Sequence, residues 1–163
     1  MAYAPYIGVI GASEASAGEA QLAEQVGDAL ARAGAVMICG GRGGVMAAAS
    51  KGAARAGGTI VGLLPGEHRA DGNEWLSIAL PTGLGELRNG LLVRCSDALI
   101  AIGGSWGTLS EIALAARRGR PVFGLQTWTP QPPGLAEGIV AMSDPGSAVR
   151  AALAATMGAR QGT

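Results

Sequence analysis

Two rhythms of apolar residues alternate along the chain. Short unbroken runs, such as Tyr-Ile-Gly-Val-Ile at 6–10, Ala-Val-Met-Ile-Cys at 35–39 and Ala-Leu-Ile-Ala-Ile at 98–102, each lead into a turn of small residues. The segments after these turns carry apolar residues three or four apart, as in Leu22, Val26, Leu30 and Ala33. Continuous runs bounded by turns read as strands buried on both faces, and the second spacing reads as helices with one covered face. The alternation predicts strands over 6–10, 35–39, 59–64, 76–80, 98–102 and 121–125, with a weak one at 138–142. Helices are predicted from a capping box at Ser16-Ala17-Gly18-Glu19 to Gly34, and over about 45–56, 85–95, 109–118 and 146–157. Residues 67–74 and 127–134 read as irregular. The predicted class is α/β: a single-domain Rossmann-like open parallel sheet with helices on both faces, spanning 1–163 with a flexible tail from about 159.

Composition narrows the partners. Of the 163 residues 48% are hydrophobic and 15% charged, too apolar for a disordered chain and long enough for a sizeable core. Net charge is zero and no basic stretch interleaves with aromatics, so nucleic acid is not expected as a partner. Arg117, Arg118 and Arg120 close a predicted helix, where cations complement the helix dipole. Cys39 and Cys95 fall in predicted buried elements and form no cluster with His68, so neither a structural metal nor a disulfide is expected. With no leader and no long apolar run, the expectation is a cytoplasmic protein without a membrane partner.

The chemistry gathers on small-residue turns. In open parallel sheets ligands sit beyond the carboxyl ends of the strands, where helix N-termini present free amides. Gly40-Gly41-Arg42-Gly43-Gly44 and Gly103-Gly104-Ser105-Trp106-Gly107 both follow predicted strands. Glycine lets an anion approach the backbone, so a phosphate-bearing ligand is expected. A Walker loop is excluded because no glycine precedes Lys51, the sole lysine. The dinucleotide fingerprint also fails, since Gly8-Val9-Ile10-Gly11-Ala12-Ser13 lacks its spacing and Gly40-Gly41 stand where an acidic residue is needed.

Taken together, Gly40-Gly41-Arg42-Gly43-Gly44-Val45-Met46 and Gly104-Ser105-Trp106-Gly107-Thr108-Leu109-Ser110-Glu111 resemble the motifs of the Lonely Guy family of cytokinin nucleoside monophosphate phosphoribohydrolases, long labelled possible lysine decarboxylases. The resemblance covers about residues 7–125. It places the family's catalytic arginine on Arg88 and its catalytic glutamate on Glu111, and it implies phosphate and nucleotide contacts from Gly11, Ser13, the residues 40–46, Asn89, and Gly103 through Thr108. Gly103, Ser105 and Asn89 depart from the family pattern. The segments 82–89 and 109–115 look closer to a neighbouring branch that includes molybdenum-cofactor carrier proteins, which bind a phosphorylated pterin. The implied activity is hydrolysis of a nucleoside 5'-monophosphate to base and ribose 5-phosphate; the alternative is a non-catalytic carrier or sensor of a phosphorylated pterin or nucleotide. No separate cofactor is implied, and a homodimer or higher homo-oligomer is. A pyridoxal phosphate decarboxylase is rejected, because Lys51 lies mid-helix and that chemistry needs a Schiff-base lysine at the site.

Simpler roles stand beside these. Thr108-Leu109-Ser110-Glu111 reads as a capping box with Glu111 reaching back to Thr108. Arg88 has Glu86 and Asp97 as candidate surface partners. Arg42 and Trp106 can contact ligand, solvent or neighbours, and His68, Asp71 and Asn73 read as solvated surface.

Overall fold

The structure, a computed structural model, describes residues 3–135 and 138–160. Seven strands form one sheet: β1 (Tyr6–Gly11), β2 (Val36–Cys39), β3 (Thr59–Leu64), β4 (Ile78–Pro81), β5 (Ala98–Ile102), β6 (Val122–Leu125) and β7 (Val140–Ala141). Their order is β4-β3-β2-β1-β5-β6-β7, and every neighbouring pair is parallel. The chain winds outward from β1 to β4, then returns to lay β5 on the other flank of β1. That reversal opens a crevice at the carboxyl ends of β1 and β5, the place where such sheets take ligands.

Among the described residues five α-helices cover the sheet: α1 (Ala17–Arg32), α2 (Val45–Arg55), α3 (Arg88–Cys95), α4 (Trp106–Arg117) and α5 (Pro145–Arg160). Side chains alternate across the pleat, so Ala98, Ile100 and Ile102 of β5 pack with α1, α2 and α5, while Leu99 and Ala101 pack with α3 and α4. This produces two apolar layers, one on each face. On the first, α1 and α2 approach so closely that a methyl group at Gly27 would collide with the Ala49 carbonyl, and one at Gly52 with that of Glu24. Lys51 and Arg55 then both reach Glu24, at 3.1 and 2.7 Å.

Local chemistry sets the helix ends. Ser16 caps α1: its hydroxyl accepts the Glu19 amide and the Glu19 carboxylate accepts the Ser16 amide, at 3.2 and 2.8 Å. Asp144 caps α5 by accepting the Ser147 amide at 2.8 Å, with Pro145 in the first helical position, where it loses no bond. The predicted third helix opens as a 3-10 turn over Gly85–Leu87, since the Gly85 amide is tied back to the Pro65 carbonyl at 3.0 Å. Helix α4 begins three residues earlier than expected. Ser105 is its cap, and the Ser105 amide donates to Thr108 Oγ1 at 3.1 Å, so Thr108 occupies the third helical position and the expected Thr108–Glu111 box is not made.

Two further expectations change. Cys39 is buried as expected, but Cys95 ends α3 at the surface and is exposed. Asn73 is not solvated surface: its amide donates to the Gly41 carbonyl at 2.9 Å and its side chain to the Arg42 carbonyl at 3.1 Å, pinning the 67–75 loop to the first glycine turn. The expected flexible tail lies, beyond residue 160, outside the described residues. Among those described, no helix is long and apolar enough to cross a membrane.

Candidate functional site

A cleft of about 540 Å³ opens at the switch point between β1 and β5, within the usual size range of small-molecule sites. Its walls come from the ends of β1 and β2, the first turn of α4, and the segment that enters α3. Of the residues singled out from sequence, Gly11, Ser13, Gly40, Arg42, Met46, Arg88, Asn89, Ser105, Gly107, Thr108 and Glu111 line it. The ends of three different strands and three helices thus bring together residues up to a hundred positions apart.

Arg88 is the anchor. It stands at the first position of α3 and is only 9% exposed. Its guanidinium abuts Gly40, where a Cβ would collide with Nη1, so the glycine after β2 makes the room that the arginine fills. The candidate partners Glu86 and Asp97 do not hold it; Asp97 instead accepts the Tyr6 amide at 2.9 Å. Arg88 Nε is buried with no hydrogen-bond partner among the described residues. Burial pulls the Arg88 pKa below the usual arginine value, against the opposing field of Glu111 and Cys39. A buried unpaired donor on a charged group costs free energy, and Arg88, as part of the cleft lining, places its positive charge where an anion can meet it.

Glu111 faces the same space from the inner side of α4 and is 6% exposed. Burial raises its pKa to about 7, and the nearby positive charge of Arg88 offsets only part of that shift. Among the described residues no ion pair or hydrogen bond engages its carboxyl group. Below the pair lies Cys39, whose thiol is pushed up by burial and sits 3.7 Å from Ser50 Oγ. Asn89 reaches across to α4, its amide 3.5 Å from Ser110 Oγ.

The remaining expected residues face elsewhere. Gly41 packs against Gly62, Leu64 and Leu76, and Gly43 and Gly44 sit on the backbone of Ala12 and Ser13. Val45 is fully buried, with its side chain filling the space above Gly11. The first glycine turn therefore serves mostly to seat α2, and only Gly40, Arg42 and Met46 reach the cleft. Gly103 donates its amide to Leu125 at 3.0 Å and, with Gly104, lines a separate depression beside Glu19 and Trp128. Trp106, 78% exposed, pairs with Trp128 at a ring separation of 5.4 Å instead of entering the cleft.

Sequence reasoning did not find Val9, Ile10, Pro65, Gly85 and Glu86, which also line the cleft. Val9 and Ile10 read as ordinary strand residues. Pro65, Gly85 and Glu86 lie on connections whose path over the cleft depends on the Gly85–Pro65 bond, a contact without a local signature.

Comparisons with other proteins agree with this geometry. The SLOG cluster4 family matches residues 4–153. An uncharacterized protein of Archaeoglobus fulgidus is 42% identical over 143 residues, covering 88% of this chain and 91% of its own length. The molybdenum cofactor binding protein of the phototrophic bacterium Rippkaea orientalis superimposes with a TM-score of 0.82 at 34% identity, over 93% of this chain and 97% of that one. The molybdenum cofactor carrier protein of Chlamydomonas reinhardtii does so with a TM-score of 0.80 at 32% identity, over 95% and 99% of the two chains. A DNA processing protein A from Helicobacter pylori, with a TM-score of 0.67 at 19% identity over 92% of this chain and 80% of that one, shares the fold alone. On the family match across residues 4–153 and these relatives together, the chain belongs to the SLOG cluster4 family.

Proposed function

We propose that this protein is a carrier that binds a phosphorylated pterin of the molybdenum-cofactor type in the switch-point cleft and holds it without cleaving it. The observation that carries the reading is Arg88: a largely buried arginine, without an ion pair among the described residues, that lines a cleft flanked by a helix N-terminus. Arg42, Arg88 and the first-turn amides of α4 supply the positive field for the phosphate and other anionic groups. Met46 and Pro65 supply apolar wall for a flat ring. The two solved relatives, named for binding or carrying molybdenum cofactor, favour the pterin over other phosphorylated rings. The reading carries with it a homodimer through the outer faces of α3 and α4, next to which Leu87 is 79% and Leu84 45% exposed.

The test is calorimetric titration with neopterin monophosphate. Native protein binds it, and Arg88→Ala weakens it roughly 10- to 100-fold, the scale of losing a charge-assisted hydrogen bond. The melting temperature of the same variant, read alongside, separates lost binding from lost fold. Failure of the native protein to bind any phosphorylated pterin overturns the reading.

One observation favours a second reading, hydrolysis of the N-glycosidic bond of a nucleoside 5'-monophosphate. The Glu111 carboxyl group stands on the cleft floor beside Arg88, where a negative charge would stabilise a ribosyl oxocarbenium ion and orient the attacking water. That chemistry requires the ionised form, and with a pKa of about 7 the group holds its proton about half the time at neutral pH. Release of adenine from AMP, lost in Glu111→Ala, is its signature.

A further inference from the structure

The cleft is electrically lopsided. Arg42, Arg88 and the amides at the start of α4 attract anions, while Glu111, four residues and so about 6 Å further along the α4 axis than Gly107, repels them. An anionic group seated against Glu111 would meet an opposing charge in a poorly solvated place. The part of the ligand that lies there must therefore bring hydrogen-bond donors. The carboxyl group has both oxygens uncommitted among the described residues, and a planar pair of acceptors is best matched by two parallel N–H groups.

We propose that Glu111 reads the edge of the bound ring, accepting paired N–H bonds from the 2-amino-4-oxopyrimidine edge that pterins share with guanine. This inference rests on the carrier reading and gives it a selectivity. The edge of adenine presents one donor beside one acceptor, so it would set a ring nitrogen lone pair against a carboxylate oxygen. A site built around a fixed hydrogen-bonding pattern rejects the analogue that leaves a buried group unmatched. Glu111 is therefore a specificity-determining residue, separate from the anion contacts at Arg42 and Arg88.

The experiment uses the full chain at mildly alkaline pH, where Glu111 is ionised, and titrates neopterin monophosphate, GMP and AMP into native protein and Glu111→Gln. Native protein is expected to bind neopterin monophosphate and GMP at least about tenfold more tightly than AMP, the scale of one charge-assisted hydrogen bond. In Glu111→Gln, whose amide offers one donor and one acceptor, the first two should weaken about tenfold or more while AMP holds or tightens. Equal binding of GMP and AMP by native protein overturns the inference without any variant. So does an equal loss of all three in Glu111→Gln, which would assign the carboxylate to ribose or another shared group. Absence of binding by neopterin monophosphate to native protein, with AMP bound, defeats the carrier reading itself and is distinguishable from both.

Discussion

The two glycine-rich turns look alike in sequence and do different work. At residues 40–44 the glycines are mostly closed in: Gly41 touches Leu64 and Leu76, and Gly44, at φ 59°, caps α2 against the Ala12–Ser13 backbone. At residues 103–107 the turn opens only beyond its first glycine: Gly103 is buried against Glu19, whereas Gly104 through Gly107 are exposed and a Cβ at Gly107 would meet nothing closer than 3.6 Å. The first turn uses its missing side chains mostly to let protein approach protein; the second does so at Gly103 and Gly104 and leaves the amides of Trp106 and Gly107 uncovered for something else. A string of glycines after a strand thus specifies a close approach, and only the packing around it says which partner approaches.

That contrast can be broken most severely at Gly44. Alanine there must adopt a left-handed φ and place its methyl on the Ala12 carbonyl, so Gly44→Ala should lose about 3 kcal/mol, equivalent to a fall in melting temperature of about 6–12 °C. Protein that remains folded should still bind neopterin monophosphate. If Gly44→Ala melts normally but has lost the ligand, the first turn is a binding element and the contrast is wrong.

A smaller effect comes from the carboxyl group at the base of the open turn. Glu111 titrates near 4.5 in the unfolded chain and about 7 in the fold, so the folded state holds its proton more tightly. Its contribution to stability is fully present below pH 4.5 and is lost as pH rises through about 7. Between mildly acidic and mildly alkaline pH the native melting temperature should fall by several degrees relative to Glu111→Gln, as read by scanning calorimetry. Parallel curves for the two proteins would mean the carboxyl group is better solvated than its surroundings indicate.

The mildest perturbation is Gly107→Ala. Open space surrounds that position, so stability should change by no more than about 0.5 kcal/mol. The methyl would nonetheless crowd the amides at the mouth of the cleft, and neopterin monophosphate should bind several-fold less tightly. Gly44→Ala and Gly107→Ala are thus expected to separate stability from binding in opposite directions.

Much of the architecture was legible from letters alone because it rests on local periodicity. All seven strands and five helices follow from runs and stripes, and Ser16 and Glu19 announce their helix unaided. The start of α4 was misplaced because Thr108-Leu109-Ser110-Glu111 fits a capping box as well as Ser105 does its own cap. Nothing local decides between them; the sheet does, by bringing Ser105 directly off β5. The pairing of Arg88 with Gly40 was hidden for the same reason, since the two are joined only through the strand order. The family resemblance pointed to Arg88 and Glu111, yet not to the burial of both or to the lack of a bond between them.

The chain has three tryptophans, and the fold distributes them between the two turns. Trp106 and Trp128 form a tilted pair whose indole NH on Trp128 donates to the Ser105 carbonyl at 3.2 Å, while Trp75 donates its amide to Asn73, the residue that clasps the other turn. Two indoles this close share their excited states and produce a paired circular dichroism signal that a lone indole lacks. The protein therefore contains its own optical gauges, an exciton couplet for the open turn and, once Trp106 and Trp128 are replaced by Phe, the emission of Trp75 for the closed one, so that loosening of either can be followed without a label.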